Sequence, residues 1–227
     1  MWDRSAFWVT NRQGFMEAWL ADRAVPFNKS LSYGLAGALA VQQAFSTPRW
    51  PEGDFEKTLY PCNQIDERFD VFWKSLRTRN RHLLLAVRNR EALEWHFHYP
   101  LSNDSIWILT AGTDPIVAYA VFMRYDNPRV SLTRMRLVDY QSLDGEATLL
   151  APMLRWALER CRREGIHMLE AIGFSADKWD SLNQLKPYHR KLPCWLYFYK
   201  ARDKKLAEEL ARPETWDPSQ FDGDASL

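Results

Sequence analysis

The chain has 227 residues, of which 46% are hydrophobic and 26% are charged, and its net charge is +1. This balance suits a folded domain with a sizeable core. The near-neutral charge argues against a nucleic-acid partner or binding to an anionic membrane surface. Three widely spaced cysteines favour packed thiols over a disulfide framework, and no apolar run reaches the roughly 20 residues of a membrane span. Since the start of the chain also lacks the order of a signal peptide, we expect a cytoplasmic protein with no membrane partner.

The first 55 residues carry two helical patterns, over 13–24 and 31–45, followed by a proline-containing linker. We predict a helical N-terminal extension over 1–55. Its aromatic residues either pack on the following domain or belong to a preceding lobe that is missing here. A homodimer is also left open.

Regular elements follow from about residue 58. Apolar spacing predicts helices over 65–76 and 90–99, with an apolar strand or helix start over 82–87 between them. Alternating apolar segments separated by turn residues predict three strands, over 106–112, 116–125 and 130–140.

An apolar stripe predicts the clearest helix, which should begin near Thr148 and end at Gly165. The stripe is formed by Leu150, Leu154, Leu158 and Cys161. A strand over 167–173 follows. We then expect a helix over 175–185, an aromatic strand over 192–199, a helix over 204–211 and a polar tail over 213–227.

The loop before the main helix contains Gln141, Gly145 and Ala147. With three strands before it and a strand after the helix, it resembles the pyrophosphate-binding loop of the GNAT N-acyltransferase superfamily, Gln/Arg-x-x-Gly-x-Gly/Ala, with one extra residue. The resemblance implies an acyltransferase domain over 56–212. Its fold class would be α/β (α+β), with a mixed, mostly antiparallel sheet flanked by helices and a V-shaped opening between two central strands.

The resemblance also implies acetyl-CoA or another acyl-CoA as co-substrate. The loop would aim free N–H groups of the helix start at the pyrophosphate, and the preceding strand would supply an N–H that polarises the thioester. The cofactor-binding residues are then Leu137, Val138, Gln141, Gly145, Glu146 and Ala147. Since Asp144 and Glu146 could satisfy the same N–H groups, an acidic helix cap without a ligand is the alternative interpretation.

Three residues are candidates for proton transfer. Tyr188 follows a helix in a pattern like that of the GNAT tyrosine that protonates the leaving thiolate, and the alternative is a turn tyrosine. Asp139 ends the third strand, where it could accept a proton from an amine nucleophile or merely cap the strand. Glu170, on the next strand, competes for that role.

Arg88, Leu93 and Trp95 resemble a segment of some GNAT-like proteins. Arg88 would anchor a helix to the sheet, or meet a substrate carboxylate. His96 and His98 would diverge on the predicted helix, so we expect no metal site.

The resemblance implies acyl transfer to the amine of a small molecule or sugar. A Fem-type enzyme using aminoacyl-tRNA is disfavoured by the neutral charge. Two other hypotheses remain: a degenerate GNAT-like domain acting as an interaction or scaffolding module, and an unrelated α/β protein, which an all-parallel sheet would support.

Overall fold

The computed structural model describes residues 4–26, 28–45, 58–144, 147–192 and 202–223. Its strands are β1 (Arg4–Val9), β2 (Leu59–Cys62), β3 (Ile106–Ala111), β4 (Ala118–Arg124), β5 (Arg134–Ser142), β6 (Met168–Ile172) and β7 (Tyr188–Lys191). Its helices are α1 (Arg12–Asp22), α2 (Asn28–Phe45), α3 (Glu67–Arg79), α4 (Arg90–Ser102), α5 (Leu150–Arg163), α6 (Ala176–Gln184) and α7 (Lys204–Leu210).

The described strands form one sheet in the order β2-β3-β4-β5-β6-β1-β7. β5 and β6 run parallel, and the other neighbouring pairs are antiparallel. The fold class implied by the resemblance is therefore confirmed: the sheet is mixed, mostly antiparallel and flanked by helices. An all-parallel sheet is ruled out.

The beginning of the chain differs from the predicted helical extension. β1 lies between β6 and β7 and pairs with both of them. The helices expected over 13–24 and 31–45 do form, as α1 and α2. Because β1 is an inner strand, residues 4–9 are part of the sheet and not of a helical extension.

Two hydrophobic clusters lie on opposite faces of the sheet. The first contains the apolar stripe of α5, and α6 packs into it through Trp179 and Leu182. The predicted main helix is thus confirmed, although it starts at Leu150 and not at Thr148. The second cluster, on the other face, is formed with α3 and α4 through Phe69, Phe72 and Phe97, among others.

The C-terminal segment is not the polar tail that its composition suggests. Ser219, Gln220 and Phe221 are buried, in a 3₁₀ turn that contacts β5. Upstream, the backbone N–H of Leu84 donates to Thr215 O at 2.7 Å. Residues 82–87 therefore form neither the predicted strand nor a helix start, because they pair with this segment through one isolated bridge.

The remaining boundaries shift by a few residues. α4 continues through Pro100 to Ser102, and β5 begins at Arg134 after a 3₁₀ turn. The predicted strand over 192–199 falls almost entirely outside the described residues, and β7 precedes it. Cys161 is fully buried, and this burial raises the pKa of its thiol to about 12, as suits a packed cysteine. None of the helices described here is long and apolar enough to cross a bilayer.

Candidate active site

β5 extends beyond its parallel partner β6, which ends at Ile172, one residue after their last pair. Their parallel pairing runs from Arg134–Met168 to Leu137–Ala171, whereas β5 continues to Ser142. On the other side of β5 the register with β4 shifts, so that Val121 faces Asp139 and Phe122 faces Leu137. Val138 is the extra residue of this β-bulge, and a bulge bends its strand. The result is an opening between β5 and β6. The backbone of residues 138–142 borders this opening and is not paired with β6.

Lys178 of α6 reaches this opening. Its side chain is almost fully buried, and Nζ donates to the backbone oxygen of Tyr140 at 3.0 Å. The same Nζ donates to both carboxylate oxygens of Asp217, at 2.7 and 2.8 Å. A cation held by a carboxylate therefore sits against the unpaired part of β5. Nothing in the sequence singled out Lys178, because its two partners lie 38 and 39 positions away.

A cavity of about 600 Å³ opens beside Lys178. Such a volume lies within the range of small-molecule sites. The end of α3, the start of α6 and the C-terminal segment form its wall: Asn80, His82, Leu83, Ser175, Ala176, Asp177, Lys178, Pro213, Glu214, Trp216 and Asp217. Since Lys178 contacts both, the cavity and the opening are neighbours.

Two buried amides near β5 have polar atoms without a hydrogen-bond partner among the described residues. Gln141 in β5 is 2% exposed, and no described residue accepts from its Nε2. Gln220 is fully buried, and neither its Nε2 nor its Oε1 has a described partner. A buried amide without partners costs about 1–3 kcal/mol. Both groups are of the kind that an amide-bearing ligand would satisfy.

The start of α5 has no side-chain cap, although the Leu150 N–H donates to Ala147 O at 3.1 Å and Pro152 has no N–H, so that Ala151 offers the first N–H of the helix. Asp144, which could have repelled an anion here, forms an ion pair with Arg79 at 2.9 Å. Ala147 is largely buried just before the helix, and Gln141 belongs to β5 and not to the loop. Gly145 and Glu146 lie outside the described residues.

Asp139 is fully buried and carries several hydrogen bonds. Arg88 donates to both of its oxygens, at 2.9 and 3.2 Å, while the hydroxyls of Tyr119 and Ser219 donate at 2.7 and 2.8 Å. Burial alone would raise the pKa of Asp139, but Arg88 and the hydroxyl donors outweigh it and hold that pKa below the usual value. Asp139 is therefore the internal counter-ion of Arg88, and the proton-acceptor role suggested by the sequence does not fit this environment.

Arg88 is also fully buried, and it bonds Asp222 at 3.0 Å. It precedes α4 directly and holds that helix, the C-terminal segment and β5 together. Of the two roles that the sequence left open for Arg88, the structure supports the anchor.

Tyr188 and Glu170 lie on one row of the sheet, one position before the last β5–β6 pair. Glu170 faces Phe7, and Phe7 faces Tyr188, so that β1 separates the two residues. With strands spaced about 4.8 Å apart, Tyr188 lies about 10 Å from β6. Burial raises the pKa of the Tyr188 phenol. The Tyr188 ring stacks on that of Phe7, with ring centroids 5.5 Å apart. Its role as proton donor to a thiolate stays a prediction.

Leu137 and Val138, by contrast, lie at the mouth of the opening as the resemblance implies, and both are fully buried. Over the described parts of the chain, no three His, Cys, Asp or Glu side chains group as a metal site would require. His96 instead packs on Phe221, with ring centroids 4.6 Å apart.

Solved structures with a similar backbone are acyltransferases. A predicted acetyltransferase of Clostridium acetobutylicum, solved with acetyl-CoA, is 14% identical; the match covers 62% of this chain and 94% of that one, with a TM-score of 0.42. An aminoglycoside acetyltransferase from an uncultured soil metagenomic sample, in complex with trehalose, is 13% identical over 65% and 100% of the two chains, with a TM-score of 0.47.

N-myristoyltransferase of Saccharomyces cerevisiae, solved with myristoyl-CoA, is 12% identical, with a TM-score of 0.43. The match covers 84% of this chain but 51% of that enzyme, so the chain spans about half of its length. No protein-family model and no curated protein sequence matches the chain. At these identities and scores, the functional assignment depends on the geometry of the chain itself.

Proposed function

We propose that the protein is an acyl-CoA-dependent N-acyltransferase that moves an acyl group, in the first place acetyl, to the amine of a small molecule or sugar. The observation that carries the proposal is the end of β5–β6 pairing at Leu137–Ala171, at a bulge, with β5 continuing beyond it. An opening of this kind offers unpaired backbone in the middle of a sheet, which is costly unless something binds there.

The surrounding residues fit a thioester co-substrate. The opening would take the acyl group and the adjoining arm of acyl-CoA, whose amides suit the unpartnered groups of Gln141 and Gln220. The uncapped start of α5 would face its phosphates. When bound, acyl-CoA supplies an activated carbonyl. The backbone N–H groups of residues 138–142 that face β6 are then positioned to stabilise negative charge on that carbonyl oxygen.

Acyl transfer by direct attack needs little more than positioning and proton movement. The amine forms a bond to the acyl carbon and loses one proton to solvent, while the carbon–sulfur bond breaks and the thiolate gains a proton. Lys178 is our candidate donor of that second proton, because its ammonium lies at the opening. Asp217, paired with it, keeps the ammonium in place.

Replacing Lys178 by methionine tests this role. We expect kcat to fall at least tenfold, while the dissociation constant for coenzyme A changes less than threefold, because methionine keeps the stem and removes only the ammonium. Steady-state kinetics and calorimetry measure the two quantities. A kcat unchanged in Lys178→Met would contradict the proton-donor role.

The same lysine supports a second candidate function. The bond from Lys178 to Tyr140 O fills a hydrogen-bonding position of the opening from within, as in a domain that no longer binds acyl-CoA and serves as an interaction module. In that case Lys178→Met would bind coenzyme A more tightly than the wild type, and neither protein would transfer an acyl group.

The proposed function as a whole is tested by calorimetric titration with acetyl-CoA and with free coenzyme A. We expect micromolar binding of both, weakened at least tenfold by Gly145→Asp, which adds charge and bulk to the loop before α5. Gly37→Asp is the matched control, because a side chain at Gly37 would meet open space. No binding at millimolar ligand would rule out the acyltransferase and favour the interaction module.

A further inference from the structure

Three arginines converge on one carboxylate on the face of the sheet opposite α5. Glu170 Oε2 is 3.2 Å from Arg136 Nη2 and 3.8 Å from Arg134 Nη1, and Oε1 is 2.5 Å from Arg190 Nη2. We call Arg134, Arg136 and Arg190 the arginine cluster. Three guanidinium groups against one carboxylate leave a net charge of about +2 at this place, since arginine stays protonated.

The cluster lies at the mouth of the opening between β5 and β6. Arg136 is paired with Glu170, and its neighbour Leu137 is the last residue of β5 that pairs with β6. Arg190 comes from β7 and spans β1 to reach Glu170. The positive charge is therefore adjacent to the position proposed for the reacting carbonyl, but on the face away from α5, whose N-terminus would hold the phosphates.

Hydrogen-bond donors of this cluster are left unused. The side chain of Arg136 is 9% exposed, and none of the described residues accepts from its Nε. Ser5, the register partner of Arg190, is fully buried, and its hydroxyl likewise has no described partner. Although Arg136 is paired with Glu170 through Nη2, leaving its Nε buried without an acceptor is unfavourable. An oxyanion at this place would remove that cost.

Within the described ranges, the groups beside the arginine cluster do not supply the missing negative charge. The Asp126 carboxylate accepts from Arg124 Nε at 2.8 Å and from the backbone N–H of Arg134 at 2.9 Å. Tyr125 offers its ring, 4.0 Å from the Arg136 guanidinium carbon, and its backbone oxygen to Arg134 Nε. Burial, followed by the charge of Arg136, lowers the pKa of Arg134, as an excess of positive charge would. Glu170 is thus the principal negative charge beside the arginine cluster, and the three arginines share it.

We propose that the arginine cluster binds an anionic group, a carboxylate or a phosphate, of the amine-bearing acceptor substrate. The identification of the bound molecule as an acceptor rests on the proposed function, whereas the anion site stands on the contacts of the cluster. A guanidinium group can donate two parallel hydrogen bonds to two oxygens of a carboxylate or a phosphate, which gives bidentate binding. Glu170 keeps the guanidinium groups in position. Because it neutralises only one of their three charges, positive charge remains to attract the ligand.

The test is calorimetric titration with inorganic phosphate and with succinate at low ionic strength, without acyl-CoA. The proteins are the wild type, Arg136→Gln, Arg190→Gln and the control Arg163→Gln, whose exposed side chain lies on α5. We expect at least one of the two anions to bind the wild type, with affinity reduced tenfold or more in Arg136→Gln and Arg190→Gln and less than twofold in Arg163→Gln. Arg190 is half exposed, so this variant should fold, and its melting curve verifies that.

The results of this titration distinguish a phosphorylated acceptor, an acceptor with a carboxylate, and the absence of an anion site. Tighter binding of phosphate points to a phosphorylated acceptor, and tighter binding of succinate points to a carboxylate. Equal binding by all four proteins, as expected if phosphate sits only at the start of α5, overturns the proposal, and so does no binding up to 50 mM of either anion. Arginine-dependent anion binding in a protein that fails to bind coenzyme A would refute the acyltransferase and keep the anion site.

Discussion

Replacing Arg88 by methionine is expected to lower the free energy of unfolding by about 3–5 kcal/mol, because it leaves Asp139 buried with an uncompensated charge. Both side chains are fully buried and joined by two hydrogen bonds. Urea unfolding followed by tryptophan fluorescence measures the change.

Two controls make the Arg88 result specific. In Arg88→Met combined with Asp139→Asn, part of the loss should be recovered, because Asp139 is then no longer a buried charge, whereas Asp222 still lacks the partner that it has at 3.0 Å. Arg155→Ala, which breaks an exposed ion pair with Glu159 on α5, should cost no more than about 1 kcal/mol. Equal losses in the Arg88 and Arg155 variants would show that the buried pair contributes nothing special.

Replacing Phe221 by alanine is expected to cost about 3–5 kcal/mol, as for other buried phenylalanines. Phe221 is 8% exposed, and its ring lies 5.8 Å from that of Phe97 and 4.8 Å from the Arg88 guanidinium carbon. The loss would show that the C-terminal segment is part of the core. The same denaturation experiment measures it.

Leu206→Ala is the matched control for Phe221→Ala, because Leu206 belongs to the C-terminal part of the chain but is 44% exposed. Its unfolding free energy should change by less than about 0.5 kcal/mol. If Phe221→Ala were equally harmless, residues 219–222 would be a surface feature.

The sequence predicted those helices and strands whose apolar pattern lies within a single element. The apolar stripe of α5 comes from residues three and four apart, and the strands β3 and β4 come from contiguous apolar runs, so a short window suffices. β1 was missed because six residues with two aromatics do not distinguish a strand from a packed helix end, and its partners on β6 lie about 160 positions away.

The site was predicted in part for the same reason. The resemblance implied Leu137, Val138 and Gln141, and these residues lie at or beyond the last residue of β5 that pairs with β6. Their role in binding a cofactor stays a prediction. The sequence could not show that Asp139 is neutralised by Arg88, 51 positions earlier, or that Lys178 reaches Tyr140. These contacts are set by tertiary packing. The convergence of Arg134, Arg136 and Arg190 on Glu170 likewise depends on β1, which pairs with both β6 and β7 and so places β7 two strands from β6.

The insertion of β1 between β6 and β7 also governs when this domain can fold during synthesis. β1 ends at Val9, and its partner on β6 begins at Met168. At ribosomal rates of about 5–20 residues per second, β1 waits on the order of 10–30 s for that partner. During this time an apolar strand remains unpaired, and the loop to be closed is long. We therefore expect the closure of β1 on β6 to be a slow step of folding, and β1 to be exposed to aggregation until it pairs.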